Sequence, residues 1–326
     1  MARPKAFIPP WQNEKLNELG QSVLVTGAGG YIGSALVKAI AAAGSSRLVM
    51  LDSCEQNLFE IGRKFPGEAI LGSVTDAPLL DDLLDRFRPA IVYHAAAYKH
   101  VPLLEQNPFA AIHNNAIGTY TLVRAILRHG PARLVLVSTD KAVNPGSFLG
   151  ISKRIAELVV VSFSSPRHSM NAVRLGNVIG STGSVIPIFQ QQIAAREPLT
   201  ITHREATRYF ISIEKAVEAI LAAGAAECAG RVLLPDLGAP VRIEELARSL
   251  MGDAQLPIQY IGLRPGDKLS EELLFAREVS EGSSGPLTVI RTPTVDPAAL
   301  DAAIERLRTA RTLEELLPAV KALVCS

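Results

Sequence analysis

The stretch Val23-Leu24-Val25-Thr26-Gly27-Ala28-Gly29-Gly30-Tyr31-Ile32-Gly33 decides the fold. Val23–Thr26 is a short apolar, β-branched run that reads as a buried strand, and Ile32–Ala43 carries a helical apolar period. Between them the glycines let the backbone approach a pyrophosphate. The helix N-terminus then offers free N–H groups and the positive end of its dipole. Glycines also build plain turns, so the turn alone carries little. Asp52 adds the weight: it ends the next strand, Leu48–Asp52, 19 residues beyond Gly33, where an acid that binds the adenosine ribose belongs. Such an acid repels a 2′-phosphate and favours NAD over NADP. Gly27, Gly29, Gly30, Tyr31, Ile32, Gly33 and Asp52 are therefore the first cofactor-binding candidates.

Further strands are read at Ala69–Leu71, Ile91–Ala95 and Leu134–Ser138, alternating with helical patterns at Gln56–Phe65, Ala77–Phe87, Ala110–Arg128 and Ser152–Phe163. The strands are continuous apolar runs, as in a parallel sheet covered on both faces. The fold class is α/β: a doubly wound parallel sheet with a smaller, interleaved C-terminal domain. After Gly176 the rhythm changes. Helices are expected at Val185–Ala195, Ile213–Ala225, Ile243–Met251 and Ser270–Phe275, and strands at Leu199–Thr202, Val232–Pro235 and Ile258–Ile261. The chain divides into an N-terminal arm (1–20), a dinucleotide-binding domain (21–176), a substrate domain interleaved with the last sheet strands (177–295) and a helical tail (296–326).

A net charge of +1 argues against non-specific nucleic-acid binding, which needs a basic footprint. No run of about 20 apolar residues and no signal-peptide core occurs, so neither a membrane span nor secretion is expected. Cys54, Cys228 and Cys325 are too few and too scattered for a metal site or a disulfide framework, which fits a reducing cytoplasm.

The fifth strand ends in Ser138-Thr139-Asp140-Lys141, where ligands of open α/β sheets bind. An acid beside a base there is a candidate acid/base pair, although a solvated Asp–Lys turn reads the same. In Leu149-Gly150-Ile151-Ser152-Lys153, the Lys of a short-chain dehydrogenase Tyr-x-x-x-Lys pair is present as Lys153, and Leu149 holds the Tyr position. Asn115 has the spacing of the Asn that interrupts a helix in such enzymes. His100 and His203 read as structural or surface residues.

Six segments together carry a resemblance: VLVTGAGGYIGS (23–34), HAAAYKHVPLLEQNP (94–108), VSTDKAVNP (137–145), RLGNVIGSTGSVIPIF (174–189), EPLTITHREATRYF (197–210) and GLRPGDKLSEELL (262–274). The chain resembles the CapD-type UDP-N-acetylglucosamine 4,6-dehydratases of polysaccharide biosynthesis, which are extended short-chain dehydrogenases. The likeness is closest to the catalytic domain of their membrane-anchored branch, where the Tyr position is usually Met. It implies a redox-neutral, NAD-dependent elimination on a UDP-sugar. Lys141 is then the C5 base, Asp140 the C6 acid and Lys153 the nicotinamide-ribose ligand. The C4-hydroxyl proton passes through Thr139, Asp140 or a water. Ser73 (where relatives carry Asp), Val74 and Ala95–Ala97 join the cofactor set. Lys99, Asn177, Ser184, Val185, Thr200, Thr202, Arg208, Arg264 and Glu272 line the substrate cleft, with Arg208 and Arg264 on phosphate. The apolar faces of 110–128 and 152–163 imply a homo-oligomer. The other readings are a UDP-sugar epimerase and a weakly active nucleotide-sugar-binding protein.

Overall fold

A computed structural model of the protein describes residues 22–44, 47–130 and 133–324. The expected arm (1–20) and Cys325 lie outside these residues. The chain alternates β1 (Ser22–Thr26), α1 (Tyr31–Ala42), β2 (Arg47–Asp52), α2 (Glu55–Lys64), β3 (Glu68–Leu71), α3 (Ala77–Phe87) and β4 (Ile91–His94). Short helices α4 (Val101–Gln106) and α5 (Pro108–Ala111) lead through a π-helical stretch, Ile112–Ile117, into α6 (Gly118–His129). Then come β5 (Arg133–Thr139), a 3₁₀ turn (Asp140–Ala142), α7 (Phe148–Ser162) and β6 (Met170–Leu175).

The second half supplies β7 (Asn177–Val178), α8 (Val185–Ala194), β8 (Leu199–Ile201), β9 (Thr207–Arg208), β10 (Phe210–Ile211), α9 (Ile213–Ala225), β11 (Val232–Pro235) and β12 (Val241–Arg242). It continues with α10 (Ile243–Met251), β13 (Ile258–Tyr260), a hairpin of β14 (Val279–Ser284) and β15 (Leu287–Arg291), α11 (Pro297–Thr309) and α12 (Leu313–Val324).

The nine-stranded sheet runs β14-β15-β11-β6-β5-β4-β1-β2-β3. All neighbours from β3 to β11 pair parallel, and the β14–β15 hairpin closes the other edge antiparallel. Alternate residues feed two cores. Leu24, Val49, Val92 and Leu136 face α3, α6 and α7, while Val25, Met50, Tyr93 and Val137 face α1 and α9. The strand order reverses between β1 and β4, so the carboxyl ends of β1, β4 and β5 open onto one crevice. A third, smaller core of Phe189, Leu199, Ile201, Ala206, Ile243 and Ala247 organises the part of the chain after β6 that lies outside the sheet.

Several elements differ from the sequence-based reading. The single helix expected at 110–128 is broken by the π-helical stretch, whose Asn115 turns its side chain away to the Tyr98 backbone. Helix α7 begins four residues early because Ser147 Oγ caps it, accepting the Gly150 N–H. No helix forms at Ser270–Phe275: the carbonyls of Lys268 and Leu269 accept from Arg208, that of Leu273 accepts from Arg174, and the Glu278 carboxylate takes the Phe275 N–H. Strand β6 and the β14–β15 hairpin had not been read.

The helical tail covers the faces expected to pair between subunits. Leu300, Ile304, Leu316 and Val320 of α11 and α12 share a core with Ile126 of α6 and with Ile155 and Val159 of α7. Tyr120 donates to Asp301 Oδ1 at 2.7 Å, and Val295 N–H to Ser162 Oγ at 3.0 Å. Those faces are satisfied within the chain, which removes the stated ground for an oligomer.

Candidate active site

At the switch point the glycine turn lies against the β4 end. Gly27 has φ +67°, and a Cβ there would meet Ala96 N at 2.6 Å, so only glycine fits. A Cβ on Gly29 would strike Asn57, and one on Gly33 the Gly27 carbonyl. Gly30 N-caps α1 with no side chain in the way. Asp52 accepts the Gly29 N–H and the Cys54 N–H, each at 2.8 Å, which holds its carboxylate beside the turn. Ser73 bonds Thr75 Oγ1 at 2.8 Å, and Val74 is buried beneath it. Ile32 and Ala95–Ala97 are half-buried along the same crevice. Tyr31 reaches across it and donates to the Ile179 carbonyl at 2.8 Å.

Below the crevice the polar groups lock one another. Thr119 Oγ1 donates to the Asn115 carbonyl at 2.6 Å, so it accepts from His94 Nε2–H at 2.9 Å. The remaining ring nitrogen, Nδ1, accepts from Thr26 Oγ1 at 2.7 Å. Burial, with Lys153 nearby, pushes His94 down to about 3, so the ring is neutral. Asn115 Nδ2 donates to Ser152 Oγ at 3.0 Å. Lys153 is buried and makes no hydrogen bond to another described residue; burial lowers its pKa to about 8 against the opposing pull of Glu157. Leu149 packs with Leu104 and Ala111, so the Tyr position is a packing position here.

The β5 end holds a second polar cluster, built on the candidate acid/base pair. Asp140 is fully buried in the 3₁₀ turn, and its Oδ1 accepts from Thr139 Oγ1 at 2.9 Å and from Lys141 Nζ at 3.0 Å. Lys141 Nζ also donates to Asn177 Oδ1 at 2.9 Å and lies 3.6 Å from Glu271 Oε1. Glu271 Oε1 is in turn 3.7 Å from Arg208 Nε. Three buried oxygens in this region have no partner among the described residues: Asp140 Oδ2, Glu271 Oε2 and Ser184 Oγ. Buried polar atoms are rarely left so, and here they mark where the hydroxyl donors of a polyhydroxylated ligand would complete the set.

The remaining substrate candidates divide. Lys99 Nζ donates to the Thr182 carbonyl at 2.7 Å, and Ser184 with Val185 opens α8 from the same loop. Arg264 is half-exposed and, among the described residues, its side chain pairs only with its neighbour Asp267 at 3.0 Å, leaving guanidinium donors for a phosphate. Arg208 spends its other donors on the carbonyls of Thr207, Lys268 and Leu269. It braces the 268–271 segment. Glu272 accepts from Asn144 at 2.9 Å, and Thr200 is tied to Gln192, so both sit at the rim, with Thr202 half-buried beyond. Sequence reasoning missed Glu271. It stands beside Glu272 in one motif, and only the irregular path of this segment decides which of the two turns inward.

The crossover, the glycine cradle and the lysine of α7 define a short-chain dehydrogenase of the extended type. Residues 23–291 match the polysaccharide biosynthesis protein family, and the chain belongs to it. The chain is 39% identical over 274 residues to the capsular polysaccharide biosynthesis protein CapD of Staphylococcus aureus, covering 79% of this chain and 46% of that protein. It thus spans about half the length of that relative. It is 29% identical to a UDP-N-acetylglucosamine 4,6-dehydratase (inverting) of Campylobacter jejuni, covering 78% of each. It is 30% identical to a UDP-glucose 4-epimerase of Rickettsia rickettsii, covering 80% of each. Among solved structures, Pen from Bacillus thuringiensis superposes with a TM-score of 0.77 at 25% identity, covering 84% of this chain and 87% of that one. Among the described residues no helix is long and apolar enough to cross a membrane.

Proposed function

We propose that this chain is an NAD-dependent UDP-sugar 4,6-dehydratase acting on UDP-N-acetylglucosamine. The observation that carries the reading is the buried Asp140–Lys141 pair at the β5 end, with Asp140 Oδ2 open and no tyrosine at position 149. Epimerisation at C4 needs one group to take and return the C4-hydroxyl proton. Elimination across C5 and C6 needs a base and an acid side by side. The substrate named for the C. jejuni relative supports the sugar.

The cradle fits NAD: Gly27 and Gly33 clear the backbone for a pyrophosphate, the start of α1 faces it, and Asp52 takes the ribose hydroxyls and turns away NADP. Bound there, NAD would supply the reversible hydride chemistry that a redox-neutral 4,6-elimination needs at C4 and C6. Lys153 holds the nicotinamide ribose. Thr139 and Asp140, joined by a 2.9 Å hydrogen bond, take the C4-hydroxyl proton. Lys141, as the free amine, removes the C5 proton, and Asp140 passes its proton to the departing 6-hydroxyl, which leaves as water. Lys141 then returns its proton to C5. Two protons leave the sugar and two come back, so the cycle closes on the same protonation states. Arg264 takes the diphosphate.

The test is incubation with UDP-N-acetylglucosamine and catalytic NAD, followed by mass spectrometry. Loss of one water without accumulation of NADH is the expected result. An isomer of unchanged mass would identify an epimerase, as the R. rickettsii relative is named.

A further inference from the structure

Glu271 lies outside the acid–base pair, yet its position ties that pair to the substrate domain. Its side chain is 3% exposed. Oε1 stands between two cations, 3.6 Å from Lys141 Nζ and 3.7 Å from Arg208 Nε. Oε2 is buried with no partner. The segment that carries it is held on two sides: Arg208 Nη2 donates to the Lys268 carbonyl at 2.8 Å and Nη1 to the Leu269 carbonyl at 3.2 Å, while Lys268 Nζ donates to the Val143 carbonyl at 2.7 Å.

We propose that Glu271 is a positioning residue of the reaction centre, fixing Lys141 between Asp140 and Asn177 and stabilising its ammonium form. The charged and polar groups facing Lys141 come from three elements: Asp140 on its own turn, Asn177 on β7, and Glu271 on the 268–278 segment with Arg208 of β9 behind it. Two cations and two carboxylates make this cluster neutral while Lys141 keeps its proton. Removing the charge of Glu271 leaves one carboxylate against two cations, and Lys141 then gives up its proton more readily. The free Oε2 remains an acceptor for a sugar hydroxyl, which would draw on the same charge. The inference deepens the proposed function, since its consequence for turnover rests on Lys141 as the C5 base.

The test reads Lys141 directly. Neutral amines react with acetic anhydride and ammonium ions do not, so brief acetylation across a pH series, followed by peptide mass spectrometry, gives the pH at which Lys141 becomes reactive. In Glu271→Gln that midpoint should fall by about 1–3 pH units relative to the wild type, the range for losing an opposite charge at this distance. Glu271→Asp keeps the charge, and its midpoint should stay closer to the wild type; this second variant serves if the Gln protein folds poorly. An unchanged midpoint in Glu271→Gln would overturn the proposal, as would an equal fall in both variants, which is what loosened packing alone would give. Water loss by the wild type tests the proposed function separately. A wild type that labels as expected but releases no water would refute that function and leave the role of Glu271 standing. Where water is released, the acid limb of the kcat profile should move down with the labelling midpoint; a loss of kcat uniform in pH would count against the inference.

Discussion

Two buried clusters of acids and cations lie close together in this molecule, and they end differently. In the first, Arg174 donates to Glu157 at 3.0 and 2.8 Å, to both oxygens of Glu278 at 2.8 Å, and to the Leu273 carbonyl at 2.8 Å. Ser138 adds a 2.6 Å hydrogen bond to Glu157. Burial would raise the Glu157 carboxyl, but Arg174 and Arg154 beside it hold it below the usual range. Every carboxylate oxygen there finds a donor. In the second, Asp140, Lys141, Glu271 and Arg208 repeat the same chemistry, and two carboxylate oxygens are left without one. A completed buried network fixes structure, whereas an incomplete one leaves acceptors for a ligand. Ser138 belongs to the first cluster and Thr139 to the second, so adjacent residues of β5 join the frame to the chemistry.

The contrast breaks most visibly at Asp140. Asp140→Asn keeps the shape and removes the exchangeable carboxyl proton. Water loss from UDP-N-acetylglucosamine should fall by about 10²–10⁴-fold, the usual worth of general acid–base catalysis, while the urea midpoint changes little. A fall of less than tenfold in a product assay would take Asp140 out of the acid's role. The opposite pattern is expected at Arg174. Arg174→Met leaves Glu278 buried without its paired cation and Glu157 with Arg154 alone, and should destabilise the fold by about 3–5 kcal/mol in urea denaturation. A loss near zero would mean that the frame is held elsewhere.

The two clusters were also unequally legible in the sequence. The second was half visible: Thr139, Asp140 and Lys141 are contiguous at the end of an apolar strand, and strand ends are where ligands bind. Glu271 was not visible, because it arrives from 130 residues downstream on a segment with no regular structure. The first cluster left no trace at all. Arg174, Glu157 and Glu278 sit on a strand, a helix and a loop, and no local period brings them together. The same division holds for the fold. Hydrophobic period gave the βαβ units, since burial on both faces is a local signal. It missed the π-helical break between α5 and α6, where a single side chain, Asn115, turns to the Tyr98 backbone. It also read an inner helix at Ser270–Phe275, where long-range arginines had already taken the carbonyls a helix needs.

Lys153 sharpens the comparison, because it is a buried cation with no ion pair among the described residues, opposed in its burial only by the field of Glu157. Burial lowers its pKa from 10.5 to about 8. A group whose charged form is disfavoured in the folded state costs stability wherever it is charged. That cost is full below pH 8, shrinks as the pH rises from 8 to 10.5 and vanishes above. At pH 7 it amounts to about 3 kcal/mol, from 1.36 kcal/mol per unit. Lys153→Met should therefore be more stable than the wild type at pH 7 by up to that amount and should lose turnover. The advantage should disappear as denaturation is repeated toward pH 10.5. A variant less stable than the wild type at pH 7 would show that the ammonium is held by more than its surroundings suggest.

The smallest effect is expected at Tyr31, which belongs to neither cluster but closes the crevice above the second. Its hydroxyl donates to the Ile179 carbonyl, joining the glycine turn to the loop that ends at Ser184, and Lys99 holds the same loop through Thr182. The bond spans the crevice beside the glycine turn, where the pyrophosphate of NAD is proposed to lie. Tyr31→Phe removes the bond and keeps the ring. The bond is exposed to water, so its net worth is about 0.5–1.5 kcal/mol. That corresponds to NAD binding about 2–12-fold weaker, carried mainly by faster dissociation. Titration of the apo-protein with NAD, with stopped-flow displacement for the off-rate, measures both. UDP binding, proposed to rest on the Arg264 side of the cleft, should not change. If UDP affinity falls as much as NAD affinity, Tyr31 is holding the whole loop in place, and the contact is part of the frame instead of a clasp on the cofactor.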